Sequence, residues 1–150
     1  MTFSFAIILS STIFMGLLAG AEFVIHYGIR GSADALDERS QLVLRQAMVR
    51  RLRILIPALF APSAVLGIAA TSLAYPEAFW LRCSGLLALV AWALIRVVGT
   101  VPINSATLDW SPDAPPADWK ARVDRAERFH IVGVWAAVIA FAAFAAASLR

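Results

Sequence analysis

The stretch ILIPALFAPSAVLGIAATSLAYP, Ile54 to Pro76, holds 23 residues without a single charge. A helix that crosses a bilayer needs about 20 mainly apolar residues, so this segment predicts a membrane span. Working outward, Met1 to Ala21 is equally free of charge, and Ile131 to Leu149 is a further uncharged run of 19 residues. Cys83 to Ile95 and Val97 to Leu108 are uncharged on either side of a lone Arg96. Four spans are predicted, at about 4–27, 54–75, 78–100 and 129–149, and little of the 150-residue chain is left over. Composition agrees: 61% of residues are hydrophobic and 15% charged, where soluble domains run nearer half and a quarter. The expected fold is all-α, a single integral-membrane domain built as a four-helix up-down bundle.

Several function classes fall away at once. A net charge of +3 would suggest nucleic-acid binding in a soluble chain; in a membrane protein basic residues set topology, so no nucleic-acid partner is expected. The single Cys83 excludes an intrachain disulfide and any Cys-x-x-Cys motif. The first segment lacks a basic leader, and its apolar run continues past Glu22 through Val24 and Ile25, so it is expected to be a retained span rather than a signal peptide.

Charge also orients the bundle. Of 13 basic residues, Arg30, Arg39, Arg45, Arg50, Arg51 and Arg53 lie between the first two spans, and Lys120, Arg122, Arg125 and Arg128 precede the fourth. Arg96 falls near the same end of the third span, leaving only Arg82 and Arg150 opposite. Cytoplasmic connections are enriched in Lys and Arg, so both long connections are expected inside and both termini outside. A reporter fused after Arg150 reads this orientation directly. The second and fourth helices should begin before they enter lipid, as cytoplasmic helical extensions. Asp37 to Arg53 has a helical apolar pattern, and Asp118 is a good N-cap, followed by Asp118–Arg122 and Asp124–Arg128 pairs at i,i+4 spacing. The prolines of Ser111 to Asp118 mark a loop. Gly16 and Gly20 form a small-xxx-small pattern suited to close helix contact in lipid. Pro57, Pro62 and Pro102 each remove a backbone donor and invite kinks.

Ionisable groups inside a span are costly and tend to be functional. Glu22 and His26 are four apart and share one face of the first helix; Glu127 and His130 are three apart on one face of the fourth. Arg96, Asn104 and Ser105 lie at the same end of the third helix, and Arg50, Arg51 and Arg53 at that end of the second. An antiparallel bundle brings these groups to similar depth. Glu22, His26, Glu127 and His130 are candidate ligands for a transition metal, Fe, Cu or Zn. Without a metal, His26 and His130 are candidate general bases, with Asn104 and Arg96 stabilising negative charge. Two histidines on facing helices could also ligate haem in an electron carrier, and the whole cluster could be a structural ion-pair network in a non-catalytic accessory or binding protein. Trp110 and Trp119 flank the proline loop as interfacial anchors or as the lining of a substrate entrance. Trp80 and Trp92 fit lipid contact or packing.

The stretch VPINSATLDW (Val101 to Trp110), the Asp118–Trp119 pair, ERFHIVGVWAAVIAF (Glu127 to Phe141) and the opening GLLAGAEFVIHYG (Gly16 to Gly28) resemble, in order and spacing, a family of small four-span membrane proteins that includes the anthrone oxygenases of polyketide pathways. The resemblance covers nearly the whole chain. It implies oxidation of a lipophilic aromatic molecule by dioxygen without an organic cofactor, a monooxygenase-type oxidoreductase activity, with Pro102, Asn104, Trp119 and His130 at the matching positions. The family pattern has an arginine where this chain has Gly133, a departure that bears on substrate class and on catalysis. The partners expected are the lipid bilayer and a hydrophobic aromatic small molecule, and self-association into a homo-oligomer is open to a bundle of this size.

Overall fold

Inside a bilayer no water is present to satisfy backbone N–H and C=O groups, so an uncharged run must bond to itself as helix. A computed structural model, which describes residues 3–149, is all-α among those residues. Its helices are α1 (Phe3–Phe23), α2 (Arg30–Ala33), α3 (Glu38–Ser72), α4 (Pro76–Ile95), α5 (Val101–Thr107) and α6 (Trp119–Ala147). A π-helical segment, Val24–Ile29, joins α1 to α2, and another, Arg96–Thr100, joins α4 to α5. The result is four long rods, Phe3–Ala33, Glu38–Ser72, Pro76–Thr107 and Trp119–Ala147, each long and apolar enough to cross a membrane. Arg150 and residues 1–2 lie outside the described residues.

Neighbouring rods run antiparallel. Thr12 in the first half of α1 meets Ser148 just beyond the end of α6, while Glu22 near the end of α1 meets His130 in the first half of α6. Between these levels runs a core of Met15, Leu18, Ala19, Ile56, Ala70, Leu89, Trp92, Ala137, Ala140 and Phe144. Lipid gives no hydrophobic drive between helices, so contact rests on close fit at small residues. A Cβ on Gly85 would lie 2.7 Å from Phe144 Cδ2, and one on Gly67 would lie 3.3 Å from Phe144 Cζ. The expected Gly16/Gly20 contact is half made: Gly16 sits against Phe141, whereas Gly20 is exposed with nothing within 4 Å of a Cβ position. The inward face of α1 instead carries Ser11, Met15, Leu18, Ala19 and Glu22, so the small residue that joins the core is Ala19.

The prolines act less as kinks than as markers of register. α3 runs unbroken through Pro57 and Pro62. Pro102 cannot donate to the carbonyl four residues back, Val98, which falls in the π segment, where Val101 N bonds to Arg96 O five residues back. At its N-terminus α3 is capped by Asp37, which accepts from Ser40 N at 3.1 Å. Asp118 occupies the N-cap position of α6 but its carboxylate turns to Arg122 at 2.8 Å, making the expected i,i+4 pair rather than a cap bond. Asp124 does not pair with Arg128; it holds Arg30 of α2 at 3.3 Å and so ties the first rod to the fourth.

Candidate metal centre

Both π-helical segments lie at the level of the polar cluster, and each carries part of it: His26 in the first, Arg96 in the second. Such segments recur at functional sites because the wider turn redirects side chains. Gly99 lets the second segment close on α6, since a Cβ there would fall 2.1 Å from Phe129 Cγ. That approach brings Arg96 towards the buried acid of α1 and the histidine that follows Phe129.

At the centre is Glu127. Its Oε2 lies 3.6 Å from His26 Nδ1 and 3.7 Å from His130 Nδ1, and the two imidazole rings are 5.4 Å apart, edge to face. One ligand atom from each of His26, Glu127 and His130 can be chosen so that all lie within 4.8 Å of one another. Glu22 stands behind His130, fully buried, with Oε2 3.0 Å from His130 Nε2 and 3.4 Å from Arg96 Nη1. Glu127 Oε1 is 3.3 Å from Arg45 Nη1, and Arg45 Nη2 donates to Asn104 Oδ1 at 2.8 Å. Arg30 reaches the same carboxylate at 3.8 Å.

The sequence-derived candidates therefore come together unequally. Glu22, His26, Glu127 and His130 form one contiguous cluster. Arg96 joins it through Glu22 and lies over the ring of buried Trp92, 5.9 Å from its centroid. Asn104 touches the cluster only through Arg45. Ser105, Arg50, Arg51 and Arg53 are exposed, and α3 contributes Arg45 in their place. Gly133 packs beside Trp92 and the Arg96 side chain, with a Cβ position 3.9 Å from Arg96 Cδ, so the cation nearest this glycine comes from the neighbouring rod. Arg30 and Arg45 are the members of the cluster that sequence reasoning missed. The available signal for Arg45 was its spacing from Leu42, beside Gln46, on the inward face of α3.

Beside the cluster lies a cavity of about 300 Å³ between the first rod, α3 and the start of α6. Ile25, Leu44, Met48, Trp119 and Val123 supply apolar lining, and half of the lining residues are polar, with Arg30, Arg45, Asp124 and Glu127 on the side of the cluster. Trp119 is buried and lines this space, while Trp110 is half-buried and its carbonyl accepts from Gln46 at 2.8 Å. Trp80 is exposed.

The donor set fits a metal ion on more than proximity. Buried polar groups normally have partners, yet Glu22 Oε1 and His26 Nδ1 have no aligned hydrogen bond, and His130 Nδ1 faces Glu127 Oε2 at 3.7 Å while its Nε2 is held by Glu22. Unsatisfied imidazole nitrogens and carboxylate oxygens are the atoms an ion engages, at about 2.0–2.2 Å. Glu22 behind His130 matches the carboxylate that commonly orients a ligating histidine. No family model, no curated protein and no solved structure matches this chain.

Proposed function

We propose that the protein is a membrane-embedded oxidoreductase that holds a divalent first-row transition metal, iron(II) by preference, at His26, Glu127 and His130 and uses dioxygen on a lipophilic aromatic substrate. One observation carries the reading: two buried histidines and one carboxylate, from two different rods, converge beside a cavity. Two histidines and a carboxylate with open positions are the donor set of non-haem iron oxygenases. Zinc fits the same ligands but has no redox chemistry to offer. A haem is disfavoured because Glu127 Oε2, within 3.7 Å of both imidazoles, occupies the gap a macrocycle would need. The resemblance of Val101 to Phe141 and Gly16 to Gly28 to the anthrone-oxygenase family supports the choice of substrate.

A metal at this position supplies an open site and an electron path for dioxygen. The residues of the chain do the rest. Glu22 fixes the orientation of His130, and Arg96 balances Glu22. Arg45, held by Asn104, balances and aims Glu127. The apolar part of the cavity lining offers a surface for the rings of the reactant. Oxidation of a methylene between two aromatic rings to a carbonyl balances with one dioxygen: one oxygen atom goes to carbon and the other leaves as water. No external reductant is needed. By the distribution of basic residues, this end of the bundle faces the cytoplasm and both termini lie outside.

Anaerobic titration of the purified protein with iron(II) tests the reading. One iron per chain is expected, lost in His130→Ala with helical content retained. No binding above that of the His130→Ala variant would overturn it. A second reading has its own observation in its favour: Arg45–Glu127, Arg96–Glu22 and Arg30–Asp124 form three ion pairs around the cluster, as a purely structural network in an accessory protein would. Failure of the titration would favour that reading.

A further inference from the structure

The cluster can be reached from a second side. Another opening, of about 420 Å³, is lined by His26, Arg30, Asp124, Glu127, Arg128 and Ile131. It shares Arg30, Asp124 and Glu127 with the 300 Å³ cavity, so the Arg30–Asp124 ion pair stands between the two. Ile131 begins the uncharged run of α6. The second opening therefore sits where that helix passes from its charged turns into its apolar length, at the depth of the membrane interface.

The lining holds two arginines and two carboxylates, but they are not paired one to one. Asp124 is engaged by Arg30, and Glu127 by Arg45 and Arg30. Arg128 is exposed on the rim and has no acidic partner among the described residues. On the inner side, the His26 side chain is only 8% exposed, with Nδ1 3.6 Å from Glu127 Oε2, and belongs to the candidate metal centre. An unpaired guanidinium at the rim and an isoleucine at the lipid side complement a molecule with an anionic oxygen group and an apolar body.

We infer that this lateral opening binds the anionic head of an amphiphile arriving from the bilayer, a carboxylate or phosphate group drawn in by Arg128 with its apolar body along Ile131. The inference deepens the proposed function, on which it rests for the destination of the molecule: it gives the lipophilic reactant an acidic oxygen and a route from the side.

The test uses the full chain in phosphatidylcholine nanodiscs and two fluorescent probes, a dansyl-labelled fatty acid and its methyl ester. The acid is expected to bind saturably and the ester is not. Arg128→Gln should weaken acid binding about fivefold, the effect of one basic residue near a membrane surface. Arg125→Gln, also exposed but not lining the opening, should leave it unchanged. Equal binding of acid and ester, or equal loss in both variants, would overturn the inference, because general surface charge would then explain the signal. Displacement of the probe on adding phosphatidylglycerol would identify the anion as a lipid headgroup, and retention would identify a free acid; both outcomes support the assignment. Iron(II) titration of the same variants reads the metal centre separately. Loss of probe selectivity with intact iron binding therefore sinks this inference and leaves the proposed function standing.

Discussion

The two ends of the bundle handle buried charge in opposite ways. At the end away from the cluster, Arg82 is 3% exposed and donates to Ala70 O in the last turn of α3. That carbonyl is one of the four a helix leaves without an intrahelical donor at its C-terminus, so the cation and the helix end satisfy each other. Around it the packing is tight and apolar, with Phe144 wedged against Gly67 and Gly85. At the other end Glu22 is also fully buried, but its partners are His130 and Arg96, and one of its oxygens has none. Packing and helix-end charge account for the first arrangement, although Arg82 Nε is left without a partner. The second gathers two histidines and two carboxylates from the first and fourth rods and leaves Glu22 Oε1 and His26 Nδ1 unsatisfied, the donor set on which the proposed function rests.

The largest expected effect breaks the comparison at Glu22. Glu22→Ala strands Arg96, whose side chain is 13% exposed, and removes the carboxylate behind His130. Breaking one partner of a buried ion pair costs about 3–5 kcal/mol, readable as a shift in the SDS-unfolding equilibrium. The paired change Glu22→Leu with Arg96→Met should recover part of that loss, because no charge is then left alone. If the single variant is as stable as the parent, the cluster is not an ion-pair network under load and the contrast between the ends collapses. Arg82→Met is the matching change at the other end and should cost less, about 1–3 kcal/mol for one orphaned carbonyl. It should leave iron(II) binding untouched, whereas Glu22→Ala should weaken it. A loss of iron binding in Arg82→Met would mean that the two ends are mechanically coupled.

The same contrast marks how far the sequence could be read. The four spans were legible because charge is excluded from lipid, and that exclusion leaves uncharged runs visible by eye. Glu22 with His26 and Glu127 with His130 were legible because i,i+4 and i,i+3 spacings fix a shared face whatever the neighbours are. Arg30 and Arg45 were not, since they lie among arginines that topology alone accounts for, and only the spacing of Arg45 from Leu42, beside Gln46, separates a cation that turns inward from one that faces water. Gly16/Gly20 misled because the spacing of two glycines defines a stripe without saying which way it faces; Glu22 and Ser11, polar residues bound to turn inward, define the inner face better. The two π-helical segments have the weakest signature. A shift of backbone pairing from four residues to five changes no side chain, and only Pro102 and Gly99 hint at the second of them.

The smallest expected effect sharpens the comparison from outside the membrane. Asp37 caps α3 before the rod reaches the cluster, accepting from the Ser40 hydroxyl at 2.6 Å and from Ser40 N at 3.1 Å. The hydroxyl bond first, and the backbone bond next, hold its carboxyl below the usual aspartate range. A carboxylate whose folded value is depressed stabilises the fold above its unfolded value, about 3.9, and that stabilisation is lost as pH falls through the lower folded value. Acid should therefore fray the first turns of α3 while the spans hold, seen as faster amide exchange at residues 38–42 once the intrinsic pH dependence is removed. Asp37→Asn keeps a capping oxygen but cannot titrate, so it should flatten the response without exposing the helix at neutral pH. If Asp37→Asn frays on the same acid limb as the parent, the response belongs to the Glu127 cluster that Arg45 links to α3. In that case the extension outside the membrane and the buried centre act as one unit.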